Sequence, residues 1–275
     1  MKKQVTFSIA SLFAFGLLNA QTLNPANLNK NALKLTKQTK QTINTKVTAE
    51  GQEENNRTDN SITAVYDIAT VTATAANAEI KITAMKIENE SDANQMGYDS
   101  QNPDDGNPQL GNVVQGIIKN ITKITLDAKG LIVTVKGNEK LETMSNQSGI
   151  DGLVKGNPLD VFFKLDKEVK MGDSWQVVND TKEVKLTTDY KFTAMENGLA
   201  NIESVGVLKL DKSIEQMGVK MYTKQEGKIV STLLVDPVTL IIKKKTSTMV
   251  LSGTIDAQGQ TIPMSVFSNK TETVD

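Results

Sequence analysis

A change of hydrophobic period between residues 107 and 136 constrains the fold more than any other feature of this sequence. Six apolar residues before the change have the i, i+3, i+4, i+7 spacing of one helix face: Leu110, Val113, Val114, Ile117, Ile118 and Ile121. Asn107 is suited to cap this helix, and Pro108 suits its first position. Apolar and polar residues then alternate, which is the period of a β-strand. We therefore predict one amphipathic helix over 108–121 that leads directly into a β-hairpin over 124–135.

Strand periodicity dominates the rest of the chain. Residues 62–74 are strongly β-branched and, with the alternating residues 80–84, predict a hairpin. From Val184 to Ser268, alternating segments are separated by turns such as Glu196-Asn197-Gly198, the signature of an antiparallel meander. The predicted fold class is mainly β (α+β): a curved antiparallel sheet or half-barrel, with the single amphipathic helix packed on its concave face.

Several other segments receive local predictions. We predict an edge strand with one wet face over 33–47, a charged loop over 50–60, a long polar loop over 88–107, a short apolar strand over 161–165, and a turn over 170–175 that presents the only tryptophan. Residues 137–157 are compatible with one or two short helices.

The first 20 residues have the pattern of an export signal. Two lysines precede an apolar stretch over 5–18, and Leu18-Asn19-Ala20 forms a small-residue cleavage site before Gln21. The apolar stretch is shorter than the ~20 residues that a transmembrane helix needs. We therefore expect cleavage after Ala20 and a periplasmic or extracellular protein.

Composition narrows the domain organisation. The chain has no cysteine, so it has neither disulfides nor a cysteine for lipid attachment, and we expect a soluble mature protein. A chain of 275 residues is long enough to bury a core without such staples. We predict a signal peptide over 1–20, a flexible lead-in over 21–32 and a single β-rich domain over 33–275, with a subdivision near residue 157 left open.

The absence of histidine is the most informative functional feature. Without histidine and cysteine, Ser-His-Asp and Cys-His catalysis are impossible, and the common zinc sites lack their ligands. A Ser/Lys pair, a carboxylate pair or an oxygen-only metal site remains. Aromatic residues make up only 4% of the chain, which disfavours a glycosidase cleft. A net charge of −1 and one arginine, Arg57, argue against nucleic-acid binding. We expect no enzymatic activity and no cofactor.

Two charged segments have ordinary explanations. The acidic loop 99–105 offers oxygen ligands for calcium, but the EF-hand spacing fails because Gln101 and Pro103 fall on ligand positions. A solvated loop before a helix cap explains it better. Lys243, Lys244 and Lys245 alternate faces on a strand and cannot form one basic patch. We therefore predict no metal site.

A sheet that curves around one helix leaves either an apolar cleft or a completely filled core between them. Trp175 either lies over a ligand or closes the end of a core with its indole N–H on a backbone carbonyl. The candidate ligand-binding residues are Val113, Val114, Ile117, Ile118, Ile121, Trp175, Tyr190 and Phe192.

Several motifs in order resemble one family. They are Tyr98-Asp99-Ser100, a proline-containing loop, the helix, the stretch 124–137, the stretch Val169 to Trp175, and Asp236-Pro237-Val238-Thr239. This order is similar to a family of uncharacterised exported proteins from Bacteroidota, a domain of unknown function, over most of the mature chain. The resemblance implies no activity. Many members look lipid-anchored, and this chain departs from them by lacking the cysteine. A more distant likeness in layout is to periplasmic lipoprotein carriers, whose half-barrels hold acyl chains.

Three function hypotheses follow. The first is a non-catalytic envelope protein that binds an apolar ligand, such as an acyl chain, between sheet and helix. The second is a structural or interaction module that meets another envelope protein through an exposed sheet edge, with residues 33–47 as the expected edge. The third is a hydrolase that uses serine or carboxylates. The expected partners are a lipid or other apolar small molecule, or an envelope protein, and not nucleic acid.

Overall fold

The structure, a computed structural model, describes residues 22–25, 31–49, 51–70, 75–92, 94–137, 155–156, 159–180, 183–216, 219–257 and 259–275. The predicted signal peptide and most of the ambiguous segment 137–157 lie outside these residues. The strands of the first half are β1 (Thr22–Leu23), β2 (Leu33–Ala49), β3 (Gln52–Ile68), β4 (Ala75–Ser91), β5 (Gln95–Asp99), β6 (Ile121–Asp127) and β7 (Ile132–Lys136). Those of the second half are β8 (Val169–Lys170), β9 (Ser174–Asp180), β10 (Val184–Glu196), β11 (Leu199–Gln216), β12 (Val219–Val235), β13 (Ile242–Ala257) and β14 (Gln260–Val274).

Twelve of these strands form one antiparallel sheet. Their order is β7-β6-β4-β3-β2-β14-β13-β12-β11-β10-β9, and β5 pairs with β4 beside this path. The path is open, with β7 and β9 as its terminal strands. Strands β10 to β14 follow one another in space as in sequence, so the predicted meander is confirmed. The predicted mainly β fold, a large antiparallel sheet with one α-helix in the described chain, is confirmed as well.

The helix α1 (Pro108–Ile118) begins as predicted and ends earlier. The Asn107 side chain accepts hydrogen bonds from the backbone N–H groups of Gln109 and Leu110, so the predicted cap is confirmed. The helix ends at Ile118, whereas Ile121 begins β6. The prediction of helix as far as 121 was therefore wrong. Apolar spacing alone does not separate the last helical turn from a strand that starts within three residues.

Tyr98 of β5 fixes α1 on the sheet. The Gln115 amide donates a 2.9 Å hydrogen bond to the Tyr98 hydroxyl. The tyrosine ring lies so close to Gly111 that a Cβ there would come within 2.7 Å of a ring carbon. Glycine at this helical position therefore lets the ring pack directly against the helix backbone. The 124–135 hairpin is also confirmed, with β6 paired to β7 and the Asp127 carboxylate accepting from the backbone N–H groups of Lys129 and Leu131.

Four local predictions were wrong. Strand β2 is not an edge, because it pairs with β3 on one side and with β14 on the other. Residues 52–60, predicted as loop, belong to β3, and the predicted polar loop 88–107 contains the end of β4 and all of β5. Residues 161–165 form no strand beyond a single bridge between Phe162 and Ile241. In each loop error the residues are polar, but pairing with a neighbouring strand satisfies backbone groups and outweighs local propensity.

Buried side chains form two separate clusters on one face of the sheet, which we call the inner face. The first cluster joins α1 to β2, β3, β4 and β6, with Val114, Ile117 and Tyr66 at its centre. The second joins β10, β11 and β12, with Phe192 and Ile202 fully buried. The segment 159–170, which we call the crossing segment, contributes to both, because Phe162 packs in the first cluster and Phe163 in the second. Within the predicted lead-in, Leu23 of β1 is buried in the second cluster and pairs with Val169.

Two inner-face glycines mark very close contacts between strand backbones. A Cβ on Gly227 would lie 1.9 Å from the Val250 carbonyl oxygen, and one on Gly253 would lie 1.9 Å from the Lys224 carbonyl oxygen. Neither distance is physically acceptable, so β12 and β13 pack in this way only because both positions lack a side chain.

We expect Gly227→Ala to lower the free energy of unfolding by more than about 2 kcal/mol, because backbone atoms must move to admit the new carbon. Gly206→Ala is the matched control, since its Cβ would meet the side-chain atoms of Leu186 and Thr188 at 3.2 and 3.3 Å, and side chains adjust more readily. Urea unfolding of both variants measures the difference. Equal losses in the two variants would contradict the close backbone packing.

Candidate functional site

The structure separates the eight residues predicted to bind a ligand into two groups. Val114 and Ile117 are fully buried in the first cluster, and Ile118 packs against it. Val113 is 40% exposed and Ile121 is 39% exposed, so neither lines a cleft under the helix. The helix contacts β4 and β5. The aromatic candidates lie on β9 and β10, at the other end of the sheet.

The aromatic candidates do come together with one another. Trp175 stacks on Tyr190 with ring centroids 5.4 Å apart, and Phe163 meets both rings edge-on. Phe192 is fully buried in the same cluster, whereas Trp175 and Tyr190 are partly exposed. In the order of the sheet, six strands lie between β4, which the helix contacts, and β10, so the two groups of candidates lie on different parts of the sheet.

A buried charged cluster lies between the two apolar clusters. Its members are Lys37, Tyr66, Asp160, Lys245, Lys270 and Glu272. The Lys37 ammonium lies 2.6 Å from the Asp160 carboxylate and 2.6 Å from the Glu272 carboxylate. The Tyr66 hydroxyl donates a 2.8 Å hydrogen bond to the other oxygen of Asp160. Asp160 belongs to the crossing segment, so these contacts tie that segment to β2, β3 and β14.

Glu272 holds the remaining lysines. Lys270 lies 3.2 Å from one of its carboxylate oxygens and Lys245 lies 3.6 Å from the other. Glu272 is 3% exposed and Lys37 is 5% exposed. Charges at this depth persist only when they are paired, because the desolvation of an isolated ion costs several kcal/mol. Each charged residue of the cluster therefore requires its partners, because the loss of one leaves another charge buried and unpaired.

The network changes the ionisation of two of its members. Burial alone would lower the pKa of Lys37, but the negative charges of Asp160 and Glu272 outweigh burial and raise that pKa well above its ordinary value. Burial raises the pKa of the Tyr66 hydroxyl, and the Asp160 carboxylate raises it further. The network therefore keeps Lys37 protonated and Tyr66 neutral.

Residues that face one another on neighbouring strands form rows across the inner face. One row, which we call the polar row, consists of Gln41, Lys270, Ser247, Ser231, Ser204 and Tyr190. The Ser231 hydroxyl donates to the Ser247 hydroxyl at 2.9 Å, and the Gln41 amide donates to the Ser268 hydroxyl at 3.0 Å. Ser231 and Ser204 are both 6% exposed. The polar row borders the covered core.

Beyond the polar row the inner face becomes apolar again on β10 to β14. We call this region the lower inner face; it consists of Leu186, Leu208, Leu210, Ile229, Met249, Leu251, Ile255, Met264 and Val266. Leu208 and Leu251 are buried, and the other seven are partly exposed. The lower inner face is an apolar surface with access to solvent, and Gln225 is a polar residue within it.

The opposite face of the same strands has a different character. Val207, Val230 and Val250 are 44–53% exposed there, but they alternate with charged residues such as Lys228 and Glu226. Residues of opposite charge pair on it, with Lys209 lying 3.6 Å from Glu226. This outer face is a solvated surface with scattered apolar side chains.

An open hollow of about 440 Å³ lies beside the start of β10, lined mainly by outer-face residues of β10 to β13. Three lysines and three acidic residues line it, so its charges balance: Glu183, Lys185, Lys209, Asp211, Lys224 and Glu226. Within the described ranges, no group of three acidic residues is arranged to hold a metal ion. No helix in the described part of the chain is both long and apolar enough to cross a bilayer.

Sequence reasoning missed the charged cluster and the lower inner face, although the sequence contained a signal for the charged cluster. On β2, Lys37 and Thr39 alternate in step with the apolar Leu35 and so lie on the same face of the strand. On β14, Lys270 and Glu272 likewise lie on the same face as Val274. Charged residues on the face of a strand that points into the core indicate buried polar contacts.

Comparisons with known proteins place the fold but not the function. A family model described as Family of unknown function (DUF6263) matches residues 73–157 and 161–242, together more than half of the chain. No curated protein matches the sequence. A structure of lipovitellin that describes lipid–protein interactions is similar in fold, with a TM-score of 0.54 and 11% identity over 90% of this chain. This chain spans 25% of the lipovitellin chain.

Two further solved structures align with much lower scores. DynF from the dynemicin biosynthesis pathway of Micromonospora chersina gives a TM-score of 0.24 at 9% identity, over 90% of this chain and 82% of DynF. An outer membrane channel from Pseudomonas putida F1 gives 0.22 at 9% identity, over 90% of this chain and 97% of the channel. Scores this low do not indicate a shared fold.

Removal of the central cation tests the buried network. We expect Lys37→Met to lower the free energy of unfolding by about 3–5 kcal/mol, because Asp160 and Glu272 lose their closest partner in a desolvated site. Lys40→Met is the matched control, since Lys40 is exposed on the opposite face of the same strand and should change stability by no more than about 0.5 kcal/mol. Chemical unfolding of both variants compares them, and similar losses would mean that the network does not stabilise the fold.

The same network predicts loss of stability at alkaline pH. The pKa values of Tyr66 and Lys37 are both raised on folding, so the stabilisation is complete below their ordinary values of 10.0 and 10.5 and is lost as the pH rises further. The unfolding free energy should therefore fall from about pH 10 upward. Tyr66→Phe removes one of the two titrating groups and should make that fall shallower by about one proton per molecule. An unchanged slope in Tyr66→Phe would exclude this assignment.

Proposed function

Since the chain belongs to DUF6263, a family of unknown function, we propose its function from the geometry: a non-catalytic protein of the cell envelope that binds an apolar ligand, such as an acyl chain, on the lower inner face. The observation that carries this proposal is an apolar surface of nine residues, seven of which are partly exposed, on the same face as the protein core. An exposed apolar surface of this kind marks a binding site more often than a purely structural surface.

The location of the lower inner face indicates that a ligand, rather than another segment of this chain, covers it. The first apolar cluster uses α1 and the second uses the crossing segment as their covers. The lower inner face lies beyond the polar row, so hydroxyl and amide groups separate it from both clusters. Binding an apolar molecule there would remove further apolar area from water, at about 25 cal/mol per Å².

Two other observations agree with this proposal. The lipovitellin structure, which is similar in fold, is described by its lipid–protein interactions. It gives a precedent for lipid contact by a protein of this fold. The absence of histidine and cysteine removes the commonest catalytic groups, which agrees with a binding role. The export pattern of residues 1–20 supports the assignment to the envelope.

A pair of variants on adjacent residues tests the proposed surface. Met249→Asp places a charge on the lower inner face, whereas Val250→Asp places it on the outer face of the same strand. Native mass spectrometry of the protein purified from its host should show a co-purified lipid in the unmodified chain and in Val250→Asp. Met249→Asp should lower its occupancy at least about tenfold, because a charge is costly to bury against an acyl chain.

Two results would overturn the proposal. One is a complete absence of lipid in the native protein together with no binding of any apolar probe. The other is equal lipid occupancy in Met249→Asp and Val250→Asp, which would place the lipid elsewhere. Fractionation of the host and N-terminal sequencing test the export step, for which a mature chain that begins at Gln21 is expected.

A further inference from the structure

The terminal strand β9 pairs with β10 on one side only. The Phe192 N–H donates a 3.0 Å hydrogen bond to the Asp173 carbonyl, and this bond sets the alternation of the ladder that follows. Every second residue from Asp173 onward therefore bonds to β10. The residues between them direct their backbone N–H and C=O groups away from the sheet, where no strand of the described chain pairs with them: Ser174, Gln176, Val178 and Asp180.

Strand β9 lacks the features that usually protect an exposed sheet edge. Proteins commonly prevent such edges from pairing by placing lysine, proline, a β-bulge or a charge on them. The strand has the sequence Ser-Trp-Gln-Val-Val-Asn-Asp, and its only charged residue, Asp180, lies at its last position. Its register with β10 is unbroken, and Val178 is 53% exposed. The outward side of β9 is therefore a regular template for another strand.

The terminal strand at the other end of the sheet is different. Strand β7 has five residues, ends in Lys136 and pairs with β6 through an irregular register. The Gly156 N–H donates a 2.8 Å hydrogen bond to the Ile132 carbonyl, so this chain already bonds to the backbone of β7. One regular open edge per molecule favours a closed pair of identical edges over an open series of β7-to-β9 contacts.

Two antiparallel copies of β9 match one another when a twofold axis passes through Val177. Gln176 then lies opposite Val178 of the second copy, and Ser174 lies opposite its Asp180. Each of these facing pairs can exchange two backbone hydrogen bonds, so every outward N–H and C=O group gains a partner. An axis through Gln176 or Val178 leaves one outward residue of each copy facing a position outside the strand.

The side chains agree with the same register. On the outer face, the Ser174 hydroxyl can donate to the Asp180 carboxylate, and no two like charges lie opposite each other. On the inner face, Val177 lies opposite its own copy, at a non-hydrogen-bonded position where side chains come closest. Trp175 lies opposite Asn179. This strand is thus self-complementary, which favours a second copy of the chain over an unrelated extended segment.

We propose that two copies of this chain associate through β9, in an antiparallel pair with its twofold axis at Val177. The two sheets become one continuous sheet across this interface. The association is independent of the proposed ligand, because the lower inner face lies on β10 to β14 and the interface lies on β9.

A proline variant tests the backbone interface. Val178→Pro removes an N–H that points away from β10, so the ladder within the chain stays intact while the ladder between copies is interrupted. Val178→Thr is the matched control, since it keeps that N–H. Analytical ultracentrifugation of the full chain should show a dimer for the unmodified protein and for Val178→Thr. Val178→Pro should raise the dissociation constant at least about tenfold, with circular dichroism and unfolding curves to confirm its fold.

Thiol cross-linking tests the register, because the chain contains no cysteine of its own. In Val177→Cys the two new thiols face each other across the axis, with Cα atoms ~4.5 Å apart, which is within the range of a disulfide. Mild oxidation should therefore give a disulfide-linked dimer. Asn179→Cys, on the same face, is the control and should stay largely unlinked, because its two copies lie roughly 14 Å apart along the strands.

Four results would overturn the inference. One is a monomer at every concentration up to roughly 100 μM. Another is a dimer that Val178→Pro does not weaken, which would place the interface on another surface. Equal cross-linking of Val177→Cys and Asn179→Cys would exclude the register, and a series of oligomers larger than the dimer would exclude the closed twofold pair.

Discussion

The ion pairs of Lys37 with Asp160 and Glu272 determine how the parts of this molecule fit together. Lys37 lies on β2, the first strand of this sheet in the sequence, and Glu272 lies on β14, the last. These two strands are paired, so the ion pair joins the first strand of the sheet to the last. Asp160 comes from the crossing segment, which packs in both apolar clusters. A buried charge without its partner costs several kcal/mol, so these three residues hold the crossing segment in one position over the sheet.

That arrangement divides the inner face into two parts with different roles. Near the charged cluster, α1 and the crossing segment cover the sheet, and the side chains beneath them are fully buried. Beyond the polar row, the same strands continue with apolar residues that are partly exposed. The polar row lies between the two regions; within it the Ser231 hydroxyl donates to the Ser247 hydroxyl, and the Gln41 amide donates to Ser268 of the adjacent row. The protein thus has a core and a separate apolar surface on one continuous sheet, and the proposed ligand site depends on that separation.

Two glycines show how closely the backbones of neighbouring strands pack. Gly227 and Gly253 are required because neighbouring carbonyl oxygens occupy the space that a Cβ would need. A side chain at either position would force the backbones of β12 and β13 apart.

The sequence by itself determined the elements that depend on local periodicity and capping. The helix start at Asn107, the hairpin after Ile121 and the C-terminal meander all follow from side-chain spacing and turn residues, which act within a few residues. Only the tertiary structure decided the partners of β2, the extension of β3 through polar residues, and the separation of Trp175 from α1. The reason is physical: strand pairing joins residues more than 200 positions apart, as Lys37 and Val274 show, and no local pattern encodes which strand lies beside which. The charged cluster arises from those pairings, so it became visible only in the folded chain.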